Sequence, residues 1–372
     1  MRVVQVNYAF DPRLRSPEAL LDRYTTLTGW SEAIARAGAE VLTVQEFHSS
    51  ANVTRSGIRY TFGDFRSIAS AAAAFAPDIV HVNGLGFPFR TWRLRRRLCG
   101  APHPAIVVQD HASGDPPAGG VVSTLVRRRL LRAADGFFFS AIEQSDGWRE
   151  RGLIGARQRV YAVMEASTNL RAMPCDEARS ASGVTGAPAV LWVGRLNANK
   201  DPLTVLAAFE RFAANLGDAT LTMIYHTEEL IDAVRARLRE SAALRDRVRL
   251  VGAVPHDRMS AFFSAADIFI VGSHHEGSGY ALMEALACGA IPVVTNIPAF
   301  RALVADSVRH QWIPGDVESC VTALNSVDPG DRGRVIEHFE RELTWDVVGK
   351  RAVAIYEEVI GAKGLGIRQP NP

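Results

Sequence analysis

Lysine is nearly missing from this chain. Lys and Arg together number 42 among 372 residues, yet only Lys200, Lys350 and Lys363 are lysine. Cysteine is scarce too: Cys99, Cys175, Cys288 and Cys320 lie far apart, with no Cys-x-x-Cys and no histidine at zinc-ligand spacing. That excludes a zinc finger and a disulfide framework, and fits reduced thiols in a cytosol. No apolar run approaches the roughly 18 residues of a membrane span. The start, "MRVVQVNYAF", does not read as a secretory leader. A cytoplasmic location is therefore expected, with membrane association at most on the cytoplasmic face.

What is present is ordinary globular composition, 47% hydrophobic and 22% charged, in a chain longer than one core usually serves. Two domains are expected. The net charge of +2 hides an asymmetry: residues 1–175 hold 22 Arg and 15 acids, +7, which leaves −5 for the rest. The basic half contains "RTWRLRRRL" (90–98) and "RRRLLR" (127–132). A solvated helix face is the plain reading; peripheral contact with an anionic membrane or an acidic acceptor is the functional one. Aromatic interleaving is not a feature of these runs, so no nucleic-acid partner is expected.

Short apolar runs alternate with amphipathic stretches along the chain. "VVQV", "EVLTV", "DIVHV", "AIVVQ" and "GFFFS" read as strands in the first half. "AVLWV", "ATLTMIY", "RVRLVG", "DIFIV" and "IPVVT" do so in the second. This rhythm predicts βαβ units around parallel sheets, twice over. Residues 171–188, rich in Ala, Ser, Gly and Pro, read as the linker. The expected fold is α/β, with two Rossmann-like doubly wound domains facing a cleft: residues 1–175, residues 176–343, and a closing helix and tail over 344–372. Ligands of such sheets bind beyond the carboxyl ends of the strands.

Two loops after strands carry the chemistry. In "LWVGRLNANKDPL" a strand ends near Val193, and Arg195 and Lys200 stand on the loop before a helix. Two cations there suit a diphosphate, Arg as a fork and Lys as a point charge. In "HHEGSGYALME" the loop Gly277-Ser278-Gly279 leads into a helix starting near Gly279. A helix N-terminus behind glycines is an anion site. Glu276 lies just outside it, within reach of a ligand hydroxyl. Glu284 lies over a turn in and suits a ribose diol. Spacing alone leaves open that both are ordinary loop and surface glutamates.

"EGSGYALME" followed by "ALACGAIPVV" resembles the Glu-x7-Glu donor signature of retaining glycosyltransferases of family 4, which have the GT-B fold. "VGRLNANKDP", "RVRLVGAVPHDRMSAFFSAADIFIVGS", "APDIVHVNG", "VVQDHASGD" and "LTWDVVGKRAVAIYEEV" resemble further elements of that family, in its order. The resemblance implies that Arg195 and Lys200 bind the nucleotide diphosphate, Glu276 holds the transferred sugar, and the backbone of Gly277, Ser278, Gly279 and Tyr280 binds phosphate or sugar. It implies that Glu284 accepts the ribose hydroxyls and His111 contacts the sugar ring. No cofactor is implied; a UDP- or GDP-sugar is the donor substrate, and a sugar, lipid or small molecule the acceptor. The implied reaction is a front-face retaining transfer without a metal, in which the departing diphosphate takes the acceptor proton. An epimerase or phosphorylase on the same fold is the alternative.

The sequence departs from that family in places. The usual Gly-Gly loop after the first strand is replaced by "TLTGW", where Gly29 is expected ahead of a helix with its N–H toward phosphate and bulky Trp30 follows. Ser278 stands where an aromatic is common, and "HTEEL" lacks the usual glycines.

Overall fold

Strands buried on both faces need apolar residues at nearly every position, and the first strand, "RVVQVN", is buried from its second residue onward. The computed structural model describes residues 1–98, 103–111 and 116–364. Cys99, the 112–115 part of the loop after His111, and tail residues 365–372 lie outside the described residues. The chain forms two compact units, Met1–Ser167 with Trp345–Pro372, and Thr168–Thr344.

In the first unit the strands are β1 (Arg2–Asn7), β2 (Glu40–Glu46), β3 (Ala51–Arg55), β4 (Ile58–Gly63), β5 (Ile79–Asn83), β6 (Ala105–Gln109), β7 (Gly136–Phe139) and β8 (Arg159–Ala162). Their order is β3-β4-β2-β1-β5-β6-β7-β8, and only β3 is antiparallel. In the second unit β9 (Ala189–Gly194), β10 (Thr220–Tyr225), β11 (Val248–Gly252), β12 (Ile268–Val271), β13 (Ile291–Thr295) and β14 (Gln311–Trp312) pair in parallel. Their order is β11-β10-β9-β12-β13-β14. Each order reverses direction once, between β1 and β5 and between β9 and β12. Crossovers leave on opposite faces at such a point and open a crevice there.

All ten expected strands are present, and β3, β4, β8 and β14 are added. The β3–β4 hairpin turns through Ser56 and Gly57, both at positive φ, 52° and 75°. That is the tight-turn geometry that matches the twist of paired strands. The stretch expected as a linker is not structureless: Cys175–Ser182 is a helix that packs on Met259–Ala265 in the second unit. Cys288 and Cys320 are free, and burial pushes both thiols up to about 12, so they act as inert core residues.

The Gly29 expectation is corrected by the structure. Gly29 lies inside the helix Thr25–Arg36, not ahead of it. A Cβ there would stand 2.4 Å from the Trp345 ring. Glycine is needed for packing, not for binding phosphate. Trp30, next to it, is buried with its ring 5.0 Å from that of His81. The partner helix, Trp345–Ala362, contributes a second contact of this kind: a Cβ on Gly349 would lie 2.4 Å from the Ala33 carbonyl oxygen. One glycine from each helix therefore lets the two cross closely.

This crossing predicts an asymmetry along one helix. Overpacking costs about 1–3 kcal/mol, against about 1 kcal/mol gained by replacing a helical glycine with alanine. Gly349→Ala should lower the urea midpoint. Gly361→Ala, where a Cβ would meet nothing within 4 Å, should leave it unchanged or raise it. A Gly349→Ala midpoint at or above wild type contradicts the close crossing.

Candidate active site

The β9–β12 reversal places two loops side by side in the second unit, and they are stitched together. Asn199 Nδ2 donates to the His275 carbonyl at 3.0 Å, and the His275 N–H returns to Asn199 Oδ1 at 3.0 Å. The His274 N–H donates to the Asn199 carbonyl at 2.9 Å. Gly272 makes the approach possible, since a Cβ there would meet the Lys200 and Asp201 carbonyls at 3.3 and 3.2 Å. Asp201, left-handed at φ 43°, caps the helix Pro202–Ala213 through the Thr204 N–H at 3.3 Å. Its other oxygen faces His274 Nε2 at 3.2 Å.

This frame brings Lys200 Nζ onto Glu276 Oε1 as an ion pair, with both side chains mostly buried. Ser273 Oγ donates to the same carboxylate oxygen at 2.6 Å. Arg195, one residue beyond β9, is exposed on the same loop. The helix Tyr280–Cys288 starts after Gly279, left-handed at φ 70°. A Cβ on Gly279 would stand 2.7 Å from the Phe300 ring, so two independent constraints require glycine. Gly277 and Ser278 form the loop ahead of it, with Ser278 buried.

Glu284 is no solvated surface glutamate: it is 4% exposed and 2.5 Å from His256 Nε2. Burial raises the Glu284 carboxyl above its ordinary range, and the His256 hydrogen bond works against that. His256 is raised in turn, first by its hydrogen bond to Glu284, with burial opposing. Its ring stacks on Tyr280 at 6.4 Å between centroids. Sequence reasoning missed His256, although it stands in the loop after β11, where ligands of such sheets bind.

In the first unit, His111 ends the same kind of strand-to-loop step after β6. Its Nδ1 faces Glu165, and its Nε2 is 3.1 Å from Asn83 Oδ1. Burial works against the imidazolium, but the Glu165 carboxylate overrides it and raises the His111 pKa. With acceptors on both ring nitrogens, the doubly protonated ring is the favoured form. Asn83 Oδ1 also receives His81 Nε2 at 3.1 Å, and His81 Nε2 lies 2.9 Å from Gln109 Oε1. Tyr356, from the closing helix, donates to His81 Nδ1 at 2.7 Å. Burial, reinforced by the charge of His111, pushes His81 down to about 3, so this second histidine stays neutral. Beside this network, at the β1–β5 reversal, lies a cavity of about 340 Å³ lined by the carboxamides of Gln5, Asn7, Gln45 and Asn83 together with His111 and Glu165. Among the described residues, no Lys or Arg lines it. The sequence signalled His111 alone; Glu165, Asn83 and His81 come from other strands and loops, with no spacing to betray them.

Known proteins resemble this chain in sequence and in fold. Residues 176–327 match the family described as Glycosyl transferases group 1. A GDP-mannose:cellobiosyl-diphosphopolyprenol alpha-mannosyltransferase from Xanthomonas campestris is 26% identical over 276 residues, 72% of this chain and 68% of that one. A glycogen synthase from Mycobacterium tuberculosis is 30% identical over 194 residues, 50% of this chain and 46% of that one. Among solved structures, sucrose-phosphate synthase from Thermosynechococcus elongatus superposes with a TM-score of 0.72 at 17% identity, covering 97% of this chain and 99% of that one.

The His111–Glu165 contact has a testable pH signature. A histidine whose folded pKa exceeds its unfolded value, about 6.5, contributes stability that is complete below that value. The contribution disappears as pH rises through the folded pKa. His111→Gln should therefore lower the melting temperature more at pH 6 than at pH 9. An equal penalty at both would show that the ring is not charged in the folded protein.

Proposed function

We propose that this chain, a glycosyltransferase of the GT-B fold, moves a sugar from a UDP- or GDP-sugar to an acceptor hydroxyl with retention at the anomeric carbon and without a divalent metal. The observation that carries the reading is the Lys200–Glu276 pair at the β9–β12 reversal, with exposed Arg195 on the same loop. Lysine has three N–H donors, so Lys200 can hold Glu276 and still reach phosphate. Arg195 and Lys200 take the diphosphate, and the N-terminal turn of the Tyr280–Cys288 helix adds its dipole. Glu276 holds hydroxyls of the transferred sugar, Glu284 accepts the ribose diol, and His111 contacts the sugar ring as the family resemblance implies. Cytoplasmic nucleotide sugar is the donor pool.

In the proposed step the C1–O bond to the diphosphate breaks, and its electron pair leaves with the nucleoside diphosphate. The acceptor oxygen bonds C1 from the same face. Its proton passes to the departing phosphate oxygen, so no protein base is consumed. Arg195 and Lys200 supply the positive charge that a metal would otherwise place on the leaving group, with Lys200 already oriented by Glu276 in a mostly buried contact and Arg195 exposed beside it. The cavity suits a hydroxylated acceptor ring, since its carboxamides both donate and accept, Trp30 and Phe87 offer apolar faces, and the charge of His111 is answered by Glu165. The name of the Xanthomonas relative gives such a case, a cellobiosyl group on its carrier.

Lys200→Ala and Arg195→Ala should each reduce nucleoside diphosphate release by about 10²–10³, with the melting temperature showing that the fold persists. Near-normal turnover in both variants would remove the assignment. Chelation of divalent ions should leave turnover unchanged. Activity lost to chelator and restored by magnesium would overturn the metal-independent reading. Donor conversion with no acceptor present would favour an epimerase instead.

A further inference from the structure

The helix Val121–Leu131 follows the loop after His111, and of its residues only Leu131 is buried. Val121, Val122, Leu125 and Val126 are 77, 75, 57 and 54% exposed. At about 100° per residue these four side chains span about 140° of the helix surface, one continuous face. Arg128, Arg129 and Arg132 extend that same face toward the C-terminus. A helix this short is marginal in water unless its apolar face is covered. Exposed aliphatic faces of this kind mark contact surfaces.

The neighbouring helix, Pro88–Arg97, carries the same chemistry. Phe89 is 54% exposed and stacks on Trp92. The Arg96 guanidinium lies 5.0 Å over the Trp92 ring, and Arg93 lies 4.4 Å over Phe65. Aromatic rings do accompany these arginines, contrary to the sequence reading. Neither helix contains an acidic residue.

We propose that this face docks on an anionic lipid bilayer. The four aliphatic side chains enter the boundary between headgroups and acyl chains, and the arginines lie level with the phosphates. Charge complementarity selects this occupant. A second copy would set arginine against arginine. A nucleic acid would leave Val121, Val122 and Leu125 without a partner. The surface goes beyond the transfer reaction and stands or falls independently of it. It also places the His111 loop ten residues from the membrane contact in sequence, suiting an acceptor that is itself carried in the bilayer.

Co-sedimentation of the full chain tests this, using vesicles of phosphatidylcholine alone and of two parts phosphatidylcholine to one part phosphatidylglycerol. The protein should pellet with the mixed vesicles, hardly at all with the neutral ones, and less as salt is raised. The double variant Val122→Ser with Leu125→Ser should lose about tenfold in vesicle affinity. Arg128→Gln with Arg129→Gln should erase the preference for anionic lipid. Both should keep wild-type melting and the wild-type thermal shift with UDP or GDP, so a failure here leaves the donor site untouched. Indifference of the wild type to lipid charge, or wild-type pelleting by both variants, overturns the proposal. So does a concentration-dependent dimer that the serine variant abolishes.

Discussion

A lysine and a glutamate 76 residues apart in sequence share one mostly buried hydrogen-bonded contact, and the loops after β9 and β12 are organised around it. Withdrawing two charges from water is expensive, and removing one partner of a buried pair typically costs about 3–5 kcal/mol because the other is left uncompensated. Here the loops that present it are clipped by Asn199, capped by Asp201 and brought close by Gly272. The cation is therefore oriented before any ligand arrives, and little reorganisation is left for the reaction.

The two units solve a similar problem with different chemistry. Each reverses its strand order once, the point at which such sheets commonly take their ligands. At the β9–β12 reversal the second unit sets fixed charge, suited to phosphate. At the β1–β5 reversal the first sets neutral carboxamides and a charged histidine held by Glu165. Tyr356 reaches that network from the chain's last helix, donating to His81. The glycine crossing at Gly29 and Gly349 fixes where that helix lies. Packing far along the sequence thus brings a hydroxyl to a buried histidine that shares Asn83 with His111.

The ten main strands were legible because a strand buried on both faces must be written in Val, Ile, Leu and Phe. The β3–β4 hairpin was missed although Ser56-Gly57 between alternating residues is its signal. Its outer strand is largely exposed, so it lacks an apolar run. Strand β14 is only two residues long, too short to leave a pattern. The charged residues after β9 and β12 could be found because both loops follow clear strands. His256 and Asn83 also follow or end clear strands, but they and Glu165 matter through partners that only the fold supplies. Gly29 misled for the opposite reason: its glycine signature was real, but Trp345, more than three hundred residues away, is what requires it.

The central claim concerns where a nucleotide's diphosphate goes, so a crystal structure of the protein with a bound nucleoside diphosphate tests it most directly. The account predicts phosphate oxygens within hydrogen-bond distance of Arg195 and Lys200, with ribose hydroxyls on Glu284. A nucleotide seated elsewhere, with the Lys200–Glu276 pair untouched by ligand, would contradict it.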